Sequence, residues 1–502
     1  MNETIDEYQI RSDMLCLDVR IEKIDKELRY CIILPDFNEP TRAYMQSIKN
    51  KLARDVDRKS LESSGPDVIR ELKTKFKKRL KYLIKNDAPG VDAETTNAII
   101  VCILNDAVGL GQIEYLLNDA LLEEIVINCS SEPVRVYHKK YGWLSTNIQI
   151  GSEKKIRDYA MHVASYVGEA INTNSPLLDA YLPNGDRINA VLAPLSDKGT
   201  SMTIRMFAKE PWTFPHFILN KTITPEILAL LWIMIQYEMN ILISGGTGSG
   251  KTSMLNILMP FIQPNQRIVS IEDTRELQLP RFLYWYPMKT RNANPEGRGE
   301  VTMSDLLINS LRMRPDRLIL GEIRKRHDAE ILFEAMHTGH SVYATIHADT
   351  SQQTLRRLMN PPLSIPPLMV EAIHLNLVMY RERRKGIRRI KQVSEVIPAR
   401  GGDPVSVPRA NVLYKWKARS DEIISSSEDI RLFQEISLHT GLSKSEILAE
   451  IDEKRKIIGW FVDNKINKLD DIGKIMRVYY LQKEDVCDVV EKNQKPDGLI
   501  NE

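Results

Sequence analysis

The octapeptide Gly245-Gly246-Thr247-Gly248-Ser249-Gly250-Lys251-Thr252 concentrates residue types that together can hold a phosphate chain. A strand-like run, Met239-Asn-Ile-Leu-Ile-Ser, leads into it, and a helical Ser253-Met-Leu-Asn-Ile-Leu-Met leads out. The spacing is G-x-x-x-x-G-K-[ST] between a strand and a helix. Glycines let such a loop curl until its backbone N–H groups point at one phosphate, and the helix N-terminus adds its positive dipole end. Lys251 then bridges the β- and γ-phosphates, the Thr252 hydroxyl ligates Mg²⁺, and Ser253 opens the helix. The chemistry expected is the binding of ATP with Mg²⁺.

Binding alone does not hydrolyse, and three segments further along supply acid–base groups. Arg267-Ile-Val-Ser-Ile-Glu272-Asp273 ends an apolar run in carboxylates, and Arg317-Leu-Ile-Leu-Gly321-Glu322 repeats the arrangement. His337-Thr-Gly-His340-Ser-Val-Tyr-Ala-Thr-Ile-His347-Ala-Asp349 brackets a third run with histidines. Ligands of open α/β sheets sit beyond the carboxyl ends of the strands, which places Glu272, Glu322 and His347 near a γ-phosphate. One carboxylate would orient the attacking water and another would hold Mg²⁺, directly or through water, with Glu322 the expected metal-side group. Which glutamate positions the water is left open by the sequence. An isolated strand-end carboxylate or histidine is more often a cap or a structural group; two carboxylates downstream of this loop point to catalysis. The three histidines lack both cysteines and ligand spacing, so no zinc site is expected.

The elements that must position these groups are short, nearly all-apolar runs alternating with helical stretches from Thr224 to about Arg400 (Asn240 to Ser244, Arg267 to Ile271, Arg317 to Leu320, Ser341 to Ile346). Such runs suit parallel strands covered by helices on both faces. Upstream, 91–207 reads as mixed α+β, with strands expected at Glu123 to Asn128, Val134 to His138 and Met202 to Phe207 and a turn entering a strand over Leu182 to Leu192. A linker is expected over 208–223, punctuated by Pro211 and Pro215; 401–502 reads as mainly helical, with Ser427 and Ser443 as N-caps. Residues 1–90 form an N-terminal extension, a candidate docking region, with a strand ending at Pro35 and a basic helix from Pro66 to Asn86.

Bulk composition excludes little but is consistent with this frame. Among 502 residues, 69 Lys and Arg balance 67 Asp and Glu, giving +2, so a dedicated nucleic-acid partner is not expected. Two basic stretches, Lys73 to Lys81 and Arg381 to Lys391, read as solvated faces, the second also as a hairpin at a subunit interface. Five scattered cysteines suggest free thiols in a reducing compartment. The acidic, polar start is no signal peptide, and the longest apolar run, Ile227 to Ile235, falls far short of the ~20 residues a membrane span needs. A cytoplasmic protein is expected.

The loop at 245–252, IEDTREL (271–277), RMRPDRLILGEIR (312–324) and AMHTGHSVYATIHAD (335–349) together resemble, in order, the Walker A, aspartate box, glutamate-bearing Walker B and histidine box of the type II/IV secretion ATPase superfamily, which drives secretion, type IV pilus assembly and the archaellum. The resemblance runs upstream through GLGQIEYLLNDALLEEIVIN (109–128) and SPLLDAYLPNGDRINAVL (175–192), covers about residues 90 to 400, and is strongest to the archaeal branch. It implies a PAS-like α+β domain before a RecA-like ATPase domain, assembly as a homo-hexamer, and a polytopic membrane platform protein as partner at the cytoplasmic face. Residue by residue it implies Arg187 and Arg205 as arginines that reach the γ-phosphate when the ATPase domain closes, and Arg291, Arg298, Arg312 and Arg314 as contacts to a neighbouring subunit. Neither the machine served nor the direction of work is implied: pilus, archaellum and secretion motors share these motifs, as do conjugation-type translocases. The four-cysteine zinc module of some bacterial relatives has no counterpart between Cys129 and Cys487, and residues 1–90 match nothing.

Overall fold

The computed structural model describes residues 3–55, 66–182, 184–207, 210–293, 297–399, 407–427 and 430–500. The chain forms two compact units, Met1–Lys209 and Glu210–Glu502.

The first unit is built on nine strands: β1 (Glu3–Ser12), β2 (Leu15–Ile24), β3 (Glu27–Ile32), β4 (Leu122–Ile127), β5 (Pro133–His138), β6 (Gly142–Gln149), β7 (Leu177–Tyr181), β8 (Arg187–Val191) and β9 (Ser201–Arg205). They lie in the order β1-β2-β3-β6-β5-β4-β9-β8-β7. Only β3 and β6 pair in parallel, through Arg29↔Ser145 and Tyr30↔Thr146. Because that pairing carries β1–β3 into the same sheet as β4–β9, residues 1–90 are not a separate body; the three N-terminal strands extend the α+β sheet. The helix Ala93–Val108 starts where the Asp92 side chain accepts the Thr95 N–H. It buries Ala98 and Val101 against the sheet, and Ile99, Ile100, Ile103 and Leu104 against the helices Glu39–Asp55 and Pro66–Asp87. The latter helix buries Leu80 and Ile84 and exposes its basic face, as its spacing predicts.

The second unit has β10 (Ile241–Gly245), β11 (Arg267–Glu272), β12 (Tyr284–Lys289), β13 (Arg317–Leu320), β14 (Ser341–Ile346), β15 (Leu375–Glu382), β16 (Ile387–Ile397), β17 (Arg409–Lys417) and β18 (Glu422–Ser425). The sheet order is β12-β11-β13-β14-β10-β15-β16-β17-β18, parallel from β12 to β15 and antiparallel from β15 to β18. β10, β13 and β14 are buried end to end. Alternate side chains go to opposite layers: Ile241 and Ile243 join one core, Leu242 the other. The helices Met303–Leu311, Arg326–His337 and Ser351–Met359 cover the Leu242 face, while Pro225–Gln236, Lys251–Leu258 and the C-terminal helices Leu432–Thr440, Lys444–Asp463 and Leu469–Leu481 cover the other. Trp232 lies at the centre of that second layer, fully buried, stacked on Phe261 at 4.8 Å and donating its indole N–H to the Tyr480 hydroxyl at 2.9 Å.

The C-terminal region is therefore not purely helical: β17 and β18 add an antiparallel edge to the sheet before the helices begin. Ser443 caps the helix Lys444–Asp463 in a reciprocal capping box with Glu446, whereas Ser427 is not the N-cap of the helix that follows it, which starts at Leu432 with Arg431 in that position. Ala208 and Lys209, the first residues of the expected linker, lie outside the described residues, and Pro215 sits in the first turn of a short helix, Phe214–Leu219. Among the described residues no helix is long and apolar enough to cross a membrane. All five cysteines are free.

Candidate functional site

Four parallel strands end at one edge. The register Ser244↔Ile346 brings Gly245 level with His347, while Ile271↔Leu320 and the bond from the Gly321 N–H to the Ile271 carbonyl (2.9 Å) bring Glu272 level with Gly321. Lys251, Glu272, Glu322 and His347 thus share the carboxyl edge of β10, β11, β13 and β14. His337 and His340 do not: they precede β14 and face backbone carbonyls of Met369 and Ala335.

The glycine loop leaves β10 at Gly245, where φ is +153° and an added Cβ would come within 2.6 Å of the Met379 carbonyl oxygen on β15. Only glycine fits there without displacing backbone. Ser249 Oγ donates to the Gly246 carbonyl at 2.8 Å, closing the loop, and Gly250 enters the helix Lys251–Leu258 from a left-handed conformation. Thr247 and Gly248 are exposed, and Thr252 and Ser253 lie in the helix's first turn, half-buried. The Lys251 ammonium donates to the carbonyls of Gly245 and Gly246, each at 3.2 Å. Those carbonyls stand where phosphate oxygens would serve as acceptors. Burial pushes the Lys251 pKa down, opposed by the nearby charges of Glu322 and Glu276.

The two glutamates sit in contrasting environments. Glu272 is 2% exposed; its Oε1 accepts the backbone N–H groups of Glu276 (2.9 Å) and Leu277 (3.1 Å), and its Oε2 is buried with no hydrogen-bond partner among the described residues. Burial raises its pKa to about 7, against those two N–H groups. Glu322 has both oxygens engaged: Oε1 with His347 Nε2 at 2.8 Å, and Oε2 with Arg324 Nη2 at 2.6 Å and Nε at 2.8 Å. Arg324 also reaches Asp273 through Nη1 at 2.8 Å. Burial first, and the Lys251 charge second, hold the His347 pKa below its ordinary value. Neutral imidazole with its proton on Nε2 is the form that donates to Glu322. No group of three His, Cys, Asp or Glu side chains converges among the described residues. A Mg²⁺ at this edge would therefore rest on phosphate oxygens, the Thr252 hydroxyl and water, with Glu322 acting through water because its oxygens are taken.

Arg187 and Arg205 are cross-strand partners on β8 and β9, with Glu124 beside Arg205 on β4. With Asn189 and Thr203 they line a cleft of about 280 Å³ within the first unit. Arg187 forks onto Asp179, Nε–Oδ1 2.8 Å and Nη2–Oδ2 2.6 Å, and burial raises the Glu124 pKa. Arg291 donates to the Gly299 carbonyl at 2.6 Å, and Arg312 and Arg314 are not buried.

Sequence reasoning placed Asp273 at this strand end but missed Arg324 and the hairpin β15–β16 as parts of this edge. Arg324 stands two residues after Glu322, close enough to have been suspected. The Arg381 to Lys391 stretch is not simply solvated: Arg388 Nε donates to the Gly248 carbonyl (3.2 Å), Lys391 Nζ to the Asp349 carbonyl (2.9 Å), and Arg389 forks onto Asp421.

A glycine loop between a buried parallel strand and a helix, faced by strand-end carboxylates, defines a P-loop nucleotide-binding type of site. The chain belongs to the type II/IV secretion system protein family, whose sequence profile matches residues 106–397, more than half of it. Two uncharacterised proteins of the archaeon Methanocaldococcus jannaschii are each 36% identical, over 61% and 68% of this chain; the chain spans only 55% and 46% of their lengths. The type IV secretion system protein PtlH of Bordetella pertussis is 30% identical over 53% of this chain and 87% of its own. Among solved structures, the VirB11 ATPase of the Brucella suis type IV secretion system is similar at 26% identity (56% of this chain, 90% of that one, TM-score 0.29), and the Legionella pneumophila ATPase DotB at 18% (75% and 93%, TM-score 0.41).

Proposed function

We propose that the protein is a Mg²⁺-dependent ATPase, working as a homo-hexamer at the cytoplasmic face of the membrane. In this reading it powers assembly of a type IV pilus-like filament or secretion of proteins through a membrane platform protein. The observation that carries the catalytic part is the convergence of Lys251, Glu272, Glu322 and His347 at one sheet edge. The family, and relatives named for type IV secretion, support the machine.

In this reading the loop N–H groups and Lys251 exchange internal carbonyls for phosphate oxygens. Bound Mg²⁺ would neutralise phosphate charge and orient the terminal phosphate. Glu272 orients the attacking water and takes its proton: it has a buried oxygen without a partner and a pKa of about 7, near the optimum for a base at neutral pH. Glu322, fixed by Arg324 and His347, holds the metal's water shell. Arg187 and Arg205, in their own cleft, are the proposed additional γ-phosphate ligands, and the first unit is the proposed PAS-like domain. The alternative of a conjugation-type DNA translocase would draw on the basic stretch Arg381 to Lys391, but Arg388, Arg389 and Lys391 make contacts within their own unit, which does not favour it.

Substituting Glu322→Gln should abolish ATP hydrolysis while ATP still binds; surviving turnover would remove Glu322 from the chemistry. The machine is tested by deleting the gene and imaging cells beside a swimming assay. Loss of thin filaments with swimming intact identifies a pilus motor. Loss of swimming with its filament identifies an archaellum motor instead. Unchanged surfaces direct attention to secreted proteins.

A further inference from the structure

The hairpin β15–β16 lies beside the glycine loop in a way that no part of the proposed chemistry yet uses. β15 pairs in parallel with β10, Gly245 opposite Met379, so it runs alongside the loop instead of ending with the strand. Period-two alternation puts Arg381 on the face of Met379, and Met379 Cβ is itself 3.1 Å from where a Gly245 Cβ would be. Across the hairpin, Arg388 stands in direct register with Arg381.

Both side chains turn onto the loop. Arg381 Nη1 lies 2.8 Å from the position of a Cβ on Gly248, whose φ is +70°, and Arg388 Cδ lies 3.5 Å from that of Gly250. Arg388 Nε donates to the Gly248 carbonyl. The neighbouring Arg389 faces the other way and is buried in a fork with Asp421, whose pKa falls to about 2 chiefly through that bond. The register slips past Lys391, between the pairs Val378↔Gln392 and Met379↔Ile390, and that bulge directs Lys391 to the Asp349 carbonyl. Register and alternation thus bring two guanidinium groups to one side of the glycine loop. A guanidinium fork binds phosphate oxygens with directional, charge-assisted hydrogen bonds. The small residues of the loop leave room for both side chains, since any side chain on Gly248 would meet Arg381.

We propose that Arg381 and Arg388 form a second wall of the nucleotide site, binding the phosphate chain of a nucleoside di- or triphosphate beside the glycine loop, within the same subunit. The inference rests on the reading of the 245–252 loop as a nucleotide site. Both arginines are binding and positioning groups; neither exchanges a proton.

The test is calorimetric titration of the full chain with MgADP and, separately, with inorganic pyrophosphate. Variants are Arg381→Ala, Arg388→Ala and Arg388→Lys, with Lys251→Ala and the exposed tip substitution Arg383→Ala as controls. Loss of one charge-assisted contact should raise both dissociation constants about tenfold or more for each alanine variant. Arg388→Lys should recover part of that, Arg383→Ala should match wild type, and ligand-free melting temperatures should not move. Wild-type affinity in both alanine variants, with Lys251→Ala inactive in binding, would overturn the wall alone. Weakened ADP binding with unchanged pyrophosphate binding would overturn the phosphate assignment. A ligand-free melting temperature lowered in step with affinity would make the pair a brace for the loop. Failure of the wild type to bind either probe would overturn the nucleotide reading and this inference together.

Discussion

Substituting Glu272→Gln should stabilise the folded protein at alkaline pH relative to acid pH. The carboxyl is 2% exposed and its pKa lies at about 7, against an ordinary 4.5, because burial penalises the charged form more than two backbone N–H groups favour it. Between those two values the folded state binds more protons than the unfolded state, so stability falls as pH rises. The contribution is whole below the unfolded pKa and lost as pH passes the folded one. The linkage expression puts the loss at about 3 kcal/mol at pH 8 and about 1 kcal/mol at pH 5, hence a difference of about 2 kcal/mol. Glutamine keeps an oxygen for the Glu276 and Leu277 N–H groups, and any cost of burying its NH₂ group is independent of pH. Other titrating groups are common to both proteins and cancel. The assay is scanning calorimetry of wild type and variant without nucleotide at pH 5 and pH 8. The difference in melting temperature should move in the variant's favour by about 5 °C from the lower to the higher pH. A difference that does not change with pH would show that the carboxyl is hydrated in the protein, and its proposed role as a tuned base would go with it.

Other outcomes follow from the same geometry. Lys251→Ala should weaken ATP binding at least a hundredfold in an equilibrium titration, because the ammonium is the loop's one side-chain cation on the phosphates. Arg324→Ala should lower turnover about tenfold with ATP affinity little changed, since it releases Glu322 from one of its two clamps; equal turnover would make the pair with Asp273 and Glu322 a surface contact only. Trp232→Ala should cost about 3–5 kcal/mol in denaturant unfolding, through the cavity it leaves against Phe261 and the lost bond to Tyr480.

The site was more legible than the sheet around it. Apolar runs such as Ile241–Gly245 and Ser341–Ile346 read as buried parallel strands because both of their faces are covered, and the strand-end rule then gathers their terminal residues with no further input. Of β16 only the start was read, within a basic hairpin, and β17 was not read at all: Arg388, Arg389 and Lys391 interrupt the first, and Lys415 and Lys417 the second, since antiparallel strands need only one covered face. β2 carries charge at alternate positions, Asp18, Arg20 and Glu22, for the same reason. That β3 joins β6 across more than a hundred residues is a long-range pairing that no local pattern encodes. Ser443 was readable because Glu446 completes its capping box within one turn, whereas the helix after Ser427 starts only at Leu432, with Arg431 at its N-cap position. Arg324 and Arg388 were missed because their roles depend on which strand lies beside which.

The sequence left open which strand-end glutamate positions the water, and the surroundings of the two differ. A base that accepts a proton from water needs an oxygen free of donors and a proton affinity near neutral; Glu272 Oε2 has the first and burial supplies the second. A carboxylate that organises a metal's water shell must be held in place, and Arg324 at 2.6 Å does that for Glu322. His347, donating to Glu322 Oε1 at 2.8 Å, fixes that carboxylate's plane and is kept neutral by burial and by Lys251. The two substitutions should therefore fail differently. Glu272→Gln should reduce kcat at least a hundredfold, leaving the Mg²⁺ concentration for half-maximal ATP binding unchanged, while Glu322→Gln should raise that concentration several-fold as well as stopping turnover. The two are compared by titrating Mg²⁺ against fixed ATP in each variant. Identical Mg²⁺ dependence in both would assign the carboxylates one shared role and refute the division.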